Sequence, residues 1–109
     1  MIDKDYTIIE ELQKMLNSRK NKMPENSYVS LLFQKGNSEI NSKIIEEANE
    51  YVEAVNSNNK SEIIHEAADL WFHNLVSLTL NDIQVSDILE ELNRRFGVSG
   101  LDEKKSRDK

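Results

Sequence analysis

The sequence predicts an all-α protein, a bundle of four to five helices that is completed by dimerisation. Only one proline and three glycines occur among its 109 residues, too few for the many turns of a strand-rich domain. Apolar residues recur at three- and four-residue spacing, as they do on amphipathic helices. A chain of this length forms one domain at most and buries only a modest fraction of its own surface.

The composition also excludes several classes of protein. The chain has no cysteine, so it contains neither disulfides nor thiolate ligands or nucleophiles. Its formal net charge of -6 argues against a generic binder of nucleic acid or of anionic membranes, which would normally be basic. The N-terminus lacks the features of a signal peptide, and no apolar run approaches the length of a membrane span. We therefore expect a soluble, cytoplasmic protein that binds neither nucleic acid nor membranes.

The first two helices are predicted at about residues 6–20 and 26–33. In the first, Leu12 and Leu16 belong to an apolar stripe, and basic residues near its end suit the helix dipole. A break that includes Pro24 separates the two segments. The second segment is short, and its apolar residues fall on one side.

The third and fourth helices are predicted at about residues 39–56 and 61–80. Ser38 and Ser61 are the candidate N-cap residues. The fourth helix is apolar on nearly every side, which indicates burial on several sides. The other four predicted helices are too short to bury all of its apolar surface, so we expect a two-fold homodimer.

The fifth helix is predicted at about residues 85–96, with Gly97 as its C-terminal stop. Its predicted inward-facing residues are Ile88, Leu89 and Leu92. The residues that follow are small and charged and would alone be assigned as disordered. The predicted organisation is therefore a helical domain over residues 1–97 and a charged C-terminal tail over residues 98–109.

The negative charge is concentrated in the middle of the chain. Residues 39–91 hold twelve acids and two bases, a net charge of -10, whereas the remaining residues have a net charge of +4. On the third helix Glu47 and Glu50 are three residues apart and flank the apolar face. Lys43 lies one turn earlier, and Glu46 lies further round towards solvent.

The fourth helix carries a matching polar stripe, made of Glu62, Glu66, Asp69 and His73. A buried carboxylate without a partner costs several kcal/mol, and the chain offers too few nearby bases to pair them all. Carboxylates from two helices suit Mg²⁺, with Mn²⁺ as a substitute, and such a site leaves positions for water and phosphate.

Each acidic cluster alone is common on solvated helix surfaces and would not indicate a metal site. Two clusters that face each other across a helical hairpin are much more specific. His73 alone is more often a hydrogen-bonded core residue than a ligand, and His65 is expected to be exposed.

The acidic motifs resemble a known signature. Glu46-Glu47-Ala48-Asn49-Glu50 and Glu66-Ala67-Ala68-Asp69 resemble the EExxE…ExxD signature of the all-α nucleoside triphosphate pyrophosphohydrolases, the MazG-like superfamily. Residues 27–29, 32–36, 91–96 and 99–104 narrow the resemblance to the phosphoribosyl-ATP pyrophosphohydrolase family. The sequence departs from that family at Ile45, where Gly is frequent, and at Trp71 and Phe72, where Tyr or Leu is frequent.

The resemblance implies hydrolysis of phosphoribosyl-ATP to phosphoribosyl-AMP and pyrophosphate in histidine biosynthesis, by a monofunctional enzyme. It implies that Glu47, Glu50, Glu66 and Asp69 bind Mg²⁺ and that Glu46, Glu47 and Glu50 are catalytic. Glu46 would either bind the metal through water or help to activate the attacking water. It implies that Lys35 and Lys43 contact substrate phosphates. Further residues that would contact the substrate, or support the residues that do, are His73, Arg94, Arg95, Lys104 and Arg107.

Two alternatives remain open at this point. One is a housecleaning enzyme of the same superfamily that hydrolyses ordinary or unusual nucleoside triphosphates. The other is a non-catalytic helical protein whose acidic face docks a basic partner. The second accounts for the charge but leaves Glu66 and Asp69 on an apolar helix unexplained.

Overall fold

The computed structural model describes residues 3–22, 25 and 27–96, with side chains described from residue 8 onwards. Its helices are α1 (Asp3–Lys22), α2 (Tyr28–Lys35), α3 (Asn37–Ser57), α4 (Lys60–Leu80) and α5 (Val85–Arg95). The described residues contain no strand, which confirms the all-α prediction. None of the described helices is both long and apolar enough to cross a bilayer. The predicted stop at Gly97 and the predicted tail lie outside the described residues.

The centre of the fold is a hairpin formed by α3 and α4, which pack along each other, while α1 packs against α4 and α2 against α3. The turn between α3 and α4 is short. Asn58 ends α3 in the left-handed conformation at φ 58, which asparagine tolerates better than most residues. Asn59 then caps α4, because its side-chain oxygen accepts a hydrogen bond from the Glu62 N–H at 3.2 Å.

The predicted caps at Ser38 and Ser61 are therefore wrong. Ser61 lies inside α4, where its hydroxyl donates to the Asn59 side-chain oxygen at 2.9 Å. Ser38 lies inside α3, which begins directly after Gly36. Gly36 has φ 86, a conformation that glycine adopts without strain, so one residue both ends α2 and starts α3. Such a compact junction needs no side-chain cap.

The hydrophobic core lies where α1, α2 and α3 meet α4. Its members share nearly complete burial: Leu16, Val29, Leu32, Phe33, Ile40, Leu75, Val76 and Val85. The apolar stripe predicted on the first helix is present, since Leu16 is fully buried and Leu12 packs against the core. This core fixes α4 against α3 and thereby sets which residues of the two helices face each other.

A buried glutamine joins α1 to the connection between α4 and α5. The Gln13 side chain donates to the Ile83 carbonyl at 2.9 Å and accepts from the Val85 N–H at 2.6 Å. It also donates to the Thr79 hydroxyl at 3.3 Å. Lys20 donates to the Thr79 carbonyl at 3.0 Å, which satisfies a backbone group near the end of α4. These bonds fix the point from which α5 departs.

An apolar groove opens between α1, α4 and α5, with Trp71 on its α4 wall. Trp71 is 64% exposed, so one side of α4, which was predicted to be buried on several sides, is open in the single chain. Ile88, Leu89 and Leu92, predicted to face inward, line this groove but remain partly exposed, and among α5 residues only Val85 is buried. The physical reason is that α5 packs mainly on α1, and no described element covers its remaining apolar face.

Candidate functional site

The buried face of α3 carries a carboxylate. Ile40, Glu47 and Ala54 are its buried residues, spaced by seven, so they lie on one side of the helix. Glu47 is only 9% exposed. The sequence placed Glu47 beside the apolar face, whereas the structure places it within the face that meets α4.

The hairpin brings carboxylates from both helices together. One oxygen each from Glu47, Glu50 and Glu66 lies within 4.8 Å of the other two. No lysine or arginine of the described residues forms an ion pair with any of the three. Three acids therefore share a small volume without a balancing cation from the part of the chain that the structure describes.

Two oxygens in this cluster test whether a metal ion fits. Oε2 of Glu47 and Oε1 of Glu66 are buried, and neither has a hydrogen-bond partner among the described residues. A buried carboxylate oxygen without a partner is costly, and a divalent cation would satisfy both oxygens at once. The donor set is entirely oxygen, as hard cations such as Mg²⁺ require. These residues fit the predicted metal.

Asp69 extends the cluster along α4. One donor atom each from His65, Glu66 and Asp69 also lies within 4.8 Å of the other two, so Glu66 belongs to both groups. The predicted set of Glu47, Glu50, Glu66 and Asp69 thus forms one continuous patch on the hairpin.

The crowding changes how these acids titrate. Burial, together with the nearby carboxyl groups of Glu50, Asp69 and Glu66, raises the pKa of Glu47 to about 7. Desolvation and the Glu50 carboxyl also raise the pKa of Glu66. A bound cation reverses this effect, because it favours the ionised form of every carboxylate around it.

Without metal, we expect the stability of the fold to decrease as the pH rises from about 4.5 to about 7. Because the pKa of Glu47 is higher in the folded chain than in the unfolded chain, the folded chain binds more protons across this window. Its stabilising contribution is fully present below the window and is lost above it. Urea denaturation of chelator-treated protein at several pH values measures the effect. A stability that increases through this window would contradict it.

The two predicted phosphate ligands, Lys43 and Lys35, lie outside the carboxylate cluster and on different helices. Lys43 is one turn before Glu47 on α3, and its Nζ is 3.4 Å from Oε1 of Glu46. The side chains of Lys43 and Glu46 are 33% and 54% exposed, so this pair lies at the rim. Lys35 is exposed at the end of α2, directly before the Gly36 junction.

His73 is a buried residue with both ring nitrogens engaged. Nε2 lies 2.9 Å from the Tyr28 hydroxyl, and Nδ1 lies 2.9 Å from the backbone carbonyl of Asp69. The carbonyl can only accept, so Nδ1 carries the proton and the Tyr28 hydroxyl donates to Nε2. This agrees with the interpretation of His73 as a hydrogen-bonded core residue. Its bonds connect α2 to the turn of α4 that carries Asp69.

The predicted basic residues near the end of the chain are only partly described. Arg94 and Arg95 both donate to the Glu91 carboxylate, with N–O distances of 2.7 and 2.9 Å for the two closest contacts. These two guanidinium groups lower the pKa of Glu91 to about 2. Lys104 and Arg107 lie outside the described residues.

Two residues of this region were not assigned a role from the sequence. Tyr28 lies in residues 27–29, which contribute to the family resemblance, but nothing in the sequence indicated that its hydroxyl would contact His73. His65 was expected only to be exposed, which it is, yet its Nε2 lies 3.3 Å from Oδ2 of Asp69. The four-residue spacing between His65 and Asp69 is the signal that could have identified this contact.

The fold and the site together define an all-α protein of the MazG-like class, with carboxylates that face each other across a helical hairpin. The model of the phosphoribosyl-ATP pyrophosphohydrolase family matches residues 9–96. The chain belongs to the phosphoribosyl-ATP pyrophosphohydrolase family.

Individual relatives agree with the family match. A phosphoribosyl-ATP pyrophosphatase of Neisseria meningitidis is 43% identical over 101 residues, which cover 93% of this chain and 94% of the relative. One of Ruthia magnifica is 46% identical over 101 residues, or 93% of this chain and 96% of the relative. One of Aromatoleum aromaticum is 44% identical over 103 residues, or 94% and 95%. The resemblance stated from the sequence is confirmed.

Proposed function

We propose that this chain hydrolyses phosphoribosyl-ATP to phosphoribosyl-AMP and pyrophosphate in histidine biosynthesis, and that it does so in the cytoplasm. The observation that carries the proposal is the cluster of Glu47, Glu50 and Glu66, two of which have buried oxygens without partners. The family match supplies the substrate. Neither a solvated acidic surface nor a protein-docking face requires a buried, unpaired carboxylate.

The residues that would hold the cation are Glu47, Glu50, Glu66 and Asp69. When bound, Mg²⁺ or Mn²⁺ would neutralise the phosphate oxygens and lower the cost of the negative charge that develops on them. The acidic cluster alone would repel a polyphosphate. Its function is therefore to present the cation, while the bases at the rim complete the charge match with the substrate.

In the reaction a water oxygen bonds to the phosphorus attached to ribose, and the bond from that phosphorus to the bridging oxygen breaks. Pyrophosphate leaves with the electron pair of the broken bond. A carboxylate of the cluster takes the proton of the attacking water, and Glu46 at the rim assists through a water molecule. Lys43 and Lys35 bind phosphate oxygens at the rim. Before substrate binds, Lys43 contacts the Glu46 carboxylate.

A homodimer completes the fold in this proposal. The groove between α1, α4 and α5 exposes a large apolar surface, with Trp71 at 64% and Leu92 at 56% exposure. Monomeric proteins rarely leave such a continuous apolar surface in water. A second copy of the chain covers it in a two-fold arrangement, which would bury the apolar residues of α5.

Pyrophosphate release tests the activity. Purified protein with Mg²⁺ is expected to release pyrophosphate from phosphoribosyl-ATP much faster than from plain ATP, and a chelator is expected to stop the reaction. Faster hydrolysis of ATP or of an unusual nucleoside triphosphate would favour the housecleaning alternative. A folded protein that leaves every nucleotide intact would favour the non-catalytic alternative.

A further inference from the structure

The outer side of the candidate metal centre carries a nitrogen donor that the proposed reaction does not use. His65 lies on α4 with Nε2 3.3 Å from Oδ2 of Asp69, and one donor atom each from His65, Glu66 and Asp69 lies within 4.8 Å of the other two. In an octahedral shell with metal–ligand bonds of about 2.1 Å, neighbouring donors are about 3 Å apart. The imidazole and the carboxylate therefore have the separation of two adjacent ligands of one cation.

A second observation connects His65 to the buried part of the centre. Glu66 belongs to this group and also to the group of Glu47 and Glu50. Its Oε1 is buried without a hydrogen-bond partner, as is Oε2 of Glu47, a side chain that is more than nine-tenths buried. An oxygen without a hydrogen-bond partner therefore lies on Glu66, the residue next to His65.

The exposure of His65 makes it available as a ligand. Its side chain is 68% exposed, and its described polar contact is the one to Asp69. A cation between the two side chains would replace that contact without breaking any buried interaction. His73 cannot take this role in the same way, because both of its ring nitrogens are engaged.

We propose that His65 supplies a nitrogen ligand to a divalent cation shared with Glu66 and Asp69. This inference rests on the proposed function, because it requires that Glu66 and Asp69 are metal ligands. An imidazole ligand favours transition-metal dications over Mg²⁺, whereas an all-carboxylate site suits hard cations. The chain consequently binds Mn²⁺ or Zn²⁺ in preference to Mg²⁺ by a wider margin than its carboxylates alone would give.

Pulsed electron paramagnetic resonance of bound Mn²⁺ tests the ligand directly, since a coordinated imidazole adds a nitrogen modulation to the signal. The chain contains only two histidines, so such a modulation has few sources. We expect it in the wild-type protein, changed after labelling histidine with the heavier nitrogen isotope, and absent in His65→Gln. The matched control Glu62→Gln, which alters a charge one turn earlier on α4, is expected to keep it.

Metal titration supplies a second measurement. His65→Gln should weaken Mn²⁺ binding on the order of tenfold and Mg²⁺ binding much less. Bound Mn²⁺ without nitrogen modulation would overturn the role of His65 and leave the carboxylate centre intact. Modulation that persists in His65→Gln would overturn it as well. Failure to bind Mn²⁺ at all would overturn both this inference and the proposed metal centre.

Discussion

Replacing Glu47 by glutamine is expected to have opposite effects on activity and on stability. The substitution keeps the shape of the side chain and removes the charge that a cation needs. We expect kcat/KM to fall at least about 100-fold, because a loss of several kcal/mol of charge stabilisation corresponds to that factor or more. We also expect Mg²⁺ to lose its ability to raise the melting temperature, since ligand binding stabilises only the form that binds it.

In the absence of metal the same variant should be more stable than the wild type at neutral pH. Glutamine avoids the cost of ionising a carboxyl group whose pKa is raised to about 7 by burial and by its acidic neighbours. The gain is on the order of 1–3 kcal/mol, since one pKa unit corresponds to about 1.4 kcal/mol. Thermal unfolding with chelator and with Mg²⁺, together with steady-state kinetics, measures both effects.

Glu90→Gln is the matched control, because Glu90 is exposed on α5 and the chemical change is identical. This control should retain wild-type activity and metal-dependent stabilisation. Wild-type kinetics and undiminished stabilisation by Mg²⁺ in Glu47→Gln would remove Glu47 from the metal centre.

The second large effect is expected at the apolar groove. Trp71→Glu should convert the proposed dimer into a monomer, because it introduces a charge into a surface that would otherwise be buried between two copies. Large aromatic residues at the centre of an interface commonly contribute about 2–4 kcal/mol, so dissociation should become at least about 30-fold more favourable. Sedimentation at several protein concentrations measures the change.

The conservative variant Trp71→Phe should remain dimeric, since it preserves an aromatic group in the groove. Trp71 is 64% exposed in the single chain, so neither substitution should disrupt the fold of the monomer. A wild-type protein that sediments as a monomer at every concentration would contradict the proposed dimer, as would a dimeric Trp71→Glu.

The sequence was sufficient to predict the helices and the proximity of carboxylates from two of them. Helical spacing is a property of many residues together, so five helices could be placed to within a few positions. The proximity of Glu47, Glu50, Glu66 and Asp69 was predictable because they lie on two consecutive helices joined by a short turn. An antiparallel hairpin brings such residues to the same level, whatever the rest of the chain does.

The choice of helix cap, the depth of Glu47 and the exposure of α5 were not predictable, because each depends on a single backbone conformation or on how the helices pack. The choice of Asn59 over Ser61 as a cap depends on which residue first leaves the helical conformation, and the sequence offers oxygen-bearing side chains at both positions. The depth of Glu47 depends on the rotation of α3 about its axis, which places Glu47 on the same buried side as Ile40 and Ala54. The partial exposure of Ile88, Leu89 and Leu92 on α5 was not predictable, because the number of helices that cover a face is not encoded in the spacing of that face.

The shortness of the turn at Asn58 and Asn59 has an evolutionary consequence. Every proposed carboxylate ligand lies within residues 47–69, in one supersecondary unit that requires no distant segment to assemble its donor atoms. The proposed contacts to the substrate phosphates, Lys35 on α2 and Lys43 on α3, both lie outside these residues. The cation-binding unit and the substrate-selecting elements can therefore diverge independently, and new substrates are accessible to this architecture while its metal chemistry is retained.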